Sequence, residues 1–208
     1  MSVFASAIQT ARNVDDLYIE GLVAADESLD PACDLRFFEI HGSEFMRCTF
    51  AGVNFAKASF YDCTFEGCDF SNARLDEAFF ARTRLVGCKL EGAQLTRALF
   101  RSSRLVDCQC RYANLGEVTF EGVRIQGCNL QEAFLNEVRF RKGTSLQKCS
   151  LVRADLFRTS LKGMDLSTCD IAGITVSDTR EELRGAWIGA DQAVDVVGML
   201  GLRVKDYE

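Results

Sequence analysis

From Leu35 to Phe140 every fifth residue is Leu, Ile or Phe, with Cys110 the single departure. An α-helix returns to one face about every 3.6 residues and a strand every second one, so neither sustains a period of five over such a length. A chain wound into a coil of short straight walls does. Two residues before each bulky position runs a second series, including Ser43, Cys48, Val53, Ala58, Cys63, Cys68 and Ala73, which is small throughout except at Phe38. Positions separated by one residue point to the same side of an extended backbone. Each pentad therefore turns one large and one small side chain inward and leaves three outward.

The walls per turn follow from the longer repeat. Phe60, Phe80, Phe100, Phe120 and Phe140 recur every twenty residues, as do Cys48, Cys68, Cys88, Cys108 and Cys128, so four pentads close one turn and like residues stack between turns. After Phe140 the stretch Arg141-Lys142-Gly143-Thr144-Ser145 is one residue too long, and the frame resumes at Leu146, Leu151, Leu156, Leu161, Leu166, Ile171 and Val176. Cys149 and Cys169 continue the cysteine column, which predicts a local bulge with Gly143 absorbing the bend.

The expected fold is all-β, a quadrilateral parallel β-helix of about seven coils over residues 33–178. Residues 1–32 lack the register and are expected to form an N-terminal cap through Val14, Leu17, Ile19 and Leu22. Residues 179–208 are expected to form a C-terminal cap and dimerisation segment with a short helix. Between Asp191 and Leu200 the apolar residues spread over an arc too wide for one contact surface. A second copy is the expected cover, making Trp187, Val194, Val197, Met199 and Leu200 candidate residues of a homodimer interface. Gly201 stands where a left-handed helix stop is expected, with Leu202-Arg203-Val204 following as a short strand.

The paired inward residues with polar neighbours, as in Cys68-Asp69-Phe70 and Ala113-Asn114-Leu115, resemble the pentapeptide-repeat family. That resemblance implies a right-handed quadrilateral β-helix. The tail Leu183 to Ile188, followed by residues 189–202, is similar to the end of the quinolone-resistance type, in which a C-terminal helix caps the solenoid and joins two subunits. Members of that type act on DNA gyrase and related type II topoisomerases, in some cases by imitating duplex DNA. The resemblance therefore implies a protein partner, DNA gyrase or topoisomerase IV. This chain lacks the long projecting loops of several such proteins.

Charge changes that picture. The chain carries a formal net charge of −6, but its excess of acidic residues lies in the two ends, and the solenoid itself shows no dense acidic wall. Imitation of DNA by charge alone is not supported. Instead Arg84, Arg104 and Arg124 recur at the coil period as a column of like charges, a candidate site for an acidic partner. Phe79 and Leu99 fill outward polar positions on consecutive turns and are a second candidate contact. Direct nucleic-acid binding is not expected, because no aromatic interleaving accompanies the basic column.

Of ten cysteines, nine occupy the small inward site and Cys110 a large one, so they are expected to pack as compact hydrophobes. A metal or redox column from Cys48 to Cys169 is the alternative. Catalysis has few candidates. His41 is the single histidine, and Glu117 and Glu137 share one outward column a turn apart, the spacing of a carbohydrate-hydrolysing pair. The expected protein is non-catalytic and cytoplasmic, without cofactor, bound metal or membrane span.

Overall fold

The computed structural model of the protein describes residues 2–13 and 16–205. The period of five is realised as a four-walled parallel solenoid, but its walls are of two kinds. One wall is a seven-stranded parallel sheet of β1 (Tyr18–Glu20), β3 (Glu39–His41), β5 (Ser59–Tyr61), β7 (Phe79–Ala81), β9 (Leu99–Arg101), β11 (Thr119–Glu121) and β13 (Arg139–Phe140). The next is a second seven-stranded sheet of β2 (Val23–Ala25), β4 (Glu44–Met46), β6 (Thr64–Glu66), β8 (Arg84–Val86), β10 (Arg104–Val106), β12 (Arg124–Gln126) and β14 (Ser145–Gln147). Seven strands on each wall bound about six coils. The remaining two walls are held by single bridges such as Asp69↔Lys89 and Gln94↔Asn114.

Pairing is in register at twenty residues, so Phe80 sits on Phe60 and Phe100 on Phe80. The rings of Phe80 and Phe100 stack 4.4 Å apart and 2° from parallel, and the column continues to Phe120 at 5.3 Å and Phe140 at 5.7 Å. In the lower coils all four walls contribute phenylalanine, and Phe45, Phe50, Phe55, Phe60, Phe65 and Phe70 are fully buried. Above them leucine dominates. There an apolar void of about 20 Å³ runs along the axis beside Cys110, Leu115, Phe120 and Leu130. Cys110, the smallest of the large inward residues from Leu35 onward, lines that void.

Turning four corners per coil strains the backbone. Every fifth residue from Phe37 to Glu137 is left-handed, with φ between 50° and 73°, whether it is glycine, charged, polar or, at Phe37 and Tyr112, aromatic. Left-handed geometry costs an L-residue about 1–2 kcal/mol. Except at Gly122, beneath the bulge, each corner N–H is compensated by a bond to the coil above, as in Glu77 N to Thr96 O at 2.9 Å and Arg97 N to Gly116 O at 2.9 Å.

The bulge after Phe140 forms as expected: Gly143 has φ 83°, and the register jumps to twenty-one residues at Arg124↔Ser145. Thr144 takes the small inward site and donates to the Phe120 carbonyl at 3.0 Å. The lower boundary differs from expectation. Tyr18–Glu20 pairs with Glu39–His41 and Val23–Ala25 with Glu44–Met46, so the stack starts before residue 33. Ile19, Ala24 and Leu29 are its inward residues, one position out of frame because an extra residue lies between the bridges Ser28↔Thr49 and Asp34↔Asn54. Leu22 and Ala24 also exchange the usual small and large sites, which hid the coil. The cap itself is helix α1 (Val3–Asn13), with Phe4, Ile8 and Ala11 buried and the Phe4 ring 5.0 Å from that of Phe45. Glu27 accepts the Val3 and Phe4 amides at 2.7 and 2.9 Å, where a carboxylate satisfies the exposed donors of a helix start. The expectation for Val14 lies outside the described residues.

The upper boundary also moves. Residues 182–187 lie on the preceding coil through Leu161 N to Glu182 O and Leu166 N to Trp187 O, both 2.8 Å, so the solenoid passes residue 178. Helix α2 (Ala193–Met199) follows. Leu202–Val204 form no strand among the described residues. No described helix is long and apolar enough to cross a membrane.

Two substitutions test this packing by urea unfolding. Phe100→Ala should lower stability by about 3–5 kcal/mol, since it removes a ring stacked on both sides. Cys110→Leu should raise it by about 1 kcal/mol by filling the axial void, and a loss there would show that the void is not accessible to the new side chain.

Candidate binding face

Most of the chain's reactive side chains are engaged in holding the coils together. The small inward site is more than small: it carries a donor aimed at the coil below. Cys88 Sγ lies 3.4 Å from the Phe65 carbonyl, Cys108 Sγ 3.5 Å from that of Leu85 and Cys128 Sγ 3.5 Å from that of Leu105. Thr83 and Ser103 hydroxyls donate in the same way to Phe60 and Phe80, each at 3.1 Å. Burial pushes the Cys63 thiol up to about 11. For Cys128 the hydrogen bond with Cys108 pushes up first, Cys149 opposes it and burial adds, leaving the thiol at about 12. All ten cysteines are free, and no three His, Cys, Asp or Glu side chains among the described residues are grouped to hold a metal ion.

Several outward charges are paired between coils. Arg47 meets Asp26 at 2.6 Å, Arg82 meets Asp62 at 2.6 Å, Arg97 meets Glu77 at 3.0 Å and Arg101 meets Glu121 at 2.9 Å. Glu137 pairs with Arg158 at 3.3 Å. Glu117 and Glu137 both stand on one left-handed corner, and they line separate shallow hollows, one with Arg139 and Arg141 and the other with Arg158 and Lys162. Their arrangement does not converge on one substrate position, as paired carboxylate chemistry requires. His41 is stacked between Tyr61 at 4.4 Å and Tyr18 at 4.9 Å, with Glu39 3.7 Å from Nε2.

Against this background Arg84, Arg104 and Arg124 stand out. They face one another across β8, β10 and β12 in direct register, all three are exposed, and none forms an ion pair with a described carboxylate. Glu66 and Asp107, which flank the column in sequence, are not bonded to them. Two residues further along the same strands, Val86 and Val106 form a half-buried apolar row. The corners flanking this wall are Gly87, Asp107 and Gly127 on one side and Arg82, paired with Asp62, Ser102, Gly122 and Gly143 on the other. Phe79 and Leu99 are paired on the neighbouring wall, separated from the arginines by the Arg82–Ser102 corner. They are half-buried, because Tyr61 packs edge-on to Phe79 at 5.4 Å and the Arg101 guanidinium lies 5.7 Å from its ring.

At the upper end Trp187 joins the last coil through its backbone while its side chain is 71% exposed. Val194 and Leu200 are exposed, and Val197 and Met199 half-buried. Sequence reasoning missed what seats this segment. Gln192 is buried and donates through Nε2 to the carbonyls of Leu166, at 2.9 Å, and Cys169. Its Oε1 accepts the Gly189 amide at 2.6 Å. Arg180 closes the other end by donating to the Met199 carbonyl at 3.0 Å. Glu182 is held buried: burial opposes its charge, but the amides of Arg158 and Ser177 and the Ser177 hydroxyl outweigh it and keep its carboxyl below the ordinary range.

The sequence matches the family model for the pentapeptide repeat region over residues 38–115 and 58–135, and that for pentapeptide repeats (8 copies) over residues 142–171. No curated protein matches it in sequence. Among solved structures it is similar to a trypsin-treated variant of QnrB1, a plasmid-mediated fluoroquinolone resistance protein, at 21% identity and TM-score 0.35 over 90% of this chain and 99% of that one. It is also similar to HetL, a pentapeptide repeat protein involved in heterocyst differentiation regulation from the cyanobacterium Nostoc, at 19% identity and TM-score 0.40 over 91% and 98%. A pentapeptide repeat protein of the Arabidopsis thaliana thylakoid lumen matches at 22% identity and TM-score 0.41 over 59% and 70%. None of these likenesses assigns a partner to this chain.

The thiol ladder has a testable pH dependence. A thiol whose pKa rises on folding, here from 9.0 to about 12 for Cys88 and Cys108, contributes stability fully below the unfolded value and loses it as pH climbs toward the folded one. Urea midpoints should therefore be flat below pH 9 and fall above it. An aromatic disulfide reagent at neutral pH should titrate at most the half-buried Cys33 before denaturation and all ten cysteines after it; rapid native reaction of several thiols would contradict the burial.

Proposed function

For a chain that belongs to the pentapeptide-repeat family, we propose a non-catalytic role: a rigid solenoid that presents its walls to a macromolecular partner. The observation that carries this reading is that the buried thiols are committed to coil-to-coil bonds and several outward carboxylates are paired across coils, whereas the Arg84, Arg104 and Arg124 ladder forms no ion pair with a described carboxylate. An array of side chains fixed at the coil repeat binds without reorganising, which lowers the ordering cost of association. The proposed partner is a bacterial type II topoisomerase, DNA gyrase or topoisomerase IV. Support for that choice is the sequence resemblance to the quinolone-resistance type in the repeats and in the C-terminal segment. The proposed compartment is the cytoplasm, where ten unpaired cysteines remain reduced.

The active form is proposed to be a homodimer through Trp187, Val194, Val197, Met199 and Leu200. Exposed Trp187, Ile188, Val194, Leu200, Leu202 and Val204 gather apolar surface at one end of the rod, where a second copy would cover it.

Two measurements test these readings. In a gyrase supercoiling assay with and without a quinolone, the protein should alter supercoiling or drug-induced cleavage; no effect at a large molar excess would leave the topoisomerase assignment without support. In sedimentation, the full chain should be dimeric and a chain ending at Ile188 monomeric. Unchanged self-association of the shortened chain would remove the C-terminal segment from the interface.

A further inference from the structure

We propose that the wall formed by β8, β10 and β12 docks an acidic amphipathic α-helix of a partner protein. The inference rests on the reading of the solenoid as a macromolecule-binding module and names the wall and the chemistry it fits. Three features converge there. Arg84, Arg104 and Arg124 repeat with one charge per coil, in register and without a bonded carboxylate. Like charges stacked this closely repel one another, and an anionic partner relieves that repulsion. Val86 and Val106 form a parallel apolar row two residues along the same strands. Gly87 and Gly127 on one edge and Ser102 and Gly122 on the other keep most of the rim low, Arg82 is paired with Asp62, and Asp107 is the one carboxylate at the rim, so a cylinder can lie on the wall.

Spacing selects the occupant. Coils rise by about 4.8 Å, and an α-helix by about 5.4 Å per turn. Carboxylates three or four residues apart on one helix face therefore meet one arginine per coil, drifting by only about an ångström across the ladder. The adjoining helix stripe, if apolar, then lies over Val86 and Val106. Phosphates along one nucleic-acid strand repeat at about 3.4 Å along the helix axis, which does not match one cation per coil.

The test uses the full chain and a fluorescein-labelled helical peptide of about twenty residues with glutamates every third or fourth position and leucines on the adjoining stripe. Its composition-matched scramble and a duplex DNA are the comparison probes. The periodic peptide should bind, and binding should weaken as salt rises to about 150 mM. Joint replacement of Arg84, Arg104 and Arg124 by Ser should weaken it at least about tenfold, the scale of a lost ion-pair contact. Gly122→Glu should weaken it similarly by supplying a competing carboxylate. Glu is compatible with that corner, since Glu117, Glu132 and Glu137 hold φ of 57–58° at equivalent corners and a Cβ on Gly122 meets nothing closer than 3.9 Å. Lys89→Ser, on a different wall, should leave binding unchanged. Circular dichroism and native thiol titration confirm that each variant is folded. Equal binding of the scramble, unchanged affinity in both ladder variants, or tighter binding of duplex DNA with the same sensitivity would overturn the proposal. No topoisomerase enters this assay, so a negative supercoiling result and a negative peptide result are distinguishable.

Discussion

The hydrogen bond from each coil to the next, repeated at a fixed rise, is the constraint on which the rest of this structure depends. It forces every residue to lie above the residue one turn earlier, and so converts a one-dimensional repeat into columns of like side chains. Inside, that stacking is favourable. Phenylalanine lies on phenylalanine, and thiols and hydroxyls of the small site donate to the carbonyls of the coil below. Outside, the same rule sets charge upon charge, and in several columns opposite signs alternate, as with Asp62 beneath Arg82 and Glu77 beneath Arg97. In the arginine ladder three like charges follow one another instead.

The fold was legible because its period belongs to no helix or strand, and because Phe60 to Phe140 and Cys48 to Cys169 mark the turn length independently. The bulge after Phe140 was legible for the same reason, as one extra residue that leaves the columns intact. What escaped sequence reasoning has physical causes. The first coil was hidden by an extra residue before Asp34 and by Leu22 and Ala24 exchanging large and small sites. The division into two sheet walls and two bridged walls depends on backbone geometry at the corners, which side-chain periodicity does not encode. A trace of it was present: glycine at 42, 52, 67, 87 and 92 shares one pentad position with the charged corner residues, and that position is left-handed throughout.

The candidate site was only half visible. The arginine column could be read from spacing alone, and its lack of bonded carboxylates could not, since Glu66 and Asp107 were plausible partners in sequence. By spacing alone Phe79 and Leu99 are a separate exposed patch; in the fold Tyr61 and Arg101 cover part of it from the adjacent coils. At the ends, where coil-to-coil bonding stops, individual residues take over. Glu27 satisfies the start of α1, and Gln192 closes carbonyls of the last coils. No periodic pattern announces such residues, because each acts once.

The columnar stacking is tested most directly by distances between spin labels on exposed positions of one column. In a Cys33→Ser background, cysteines introduced at Glu44 paired in turn with positions 84, 104 and 124 can be labelled selectively, because the remaining native thiols are buried. Each added twenty residues should lengthen the distance by one coil rise, about 4.8 Å, in a straight series. Distances that fail to grow by that constant step would contradict the stacked register and every column assignment drawn from it.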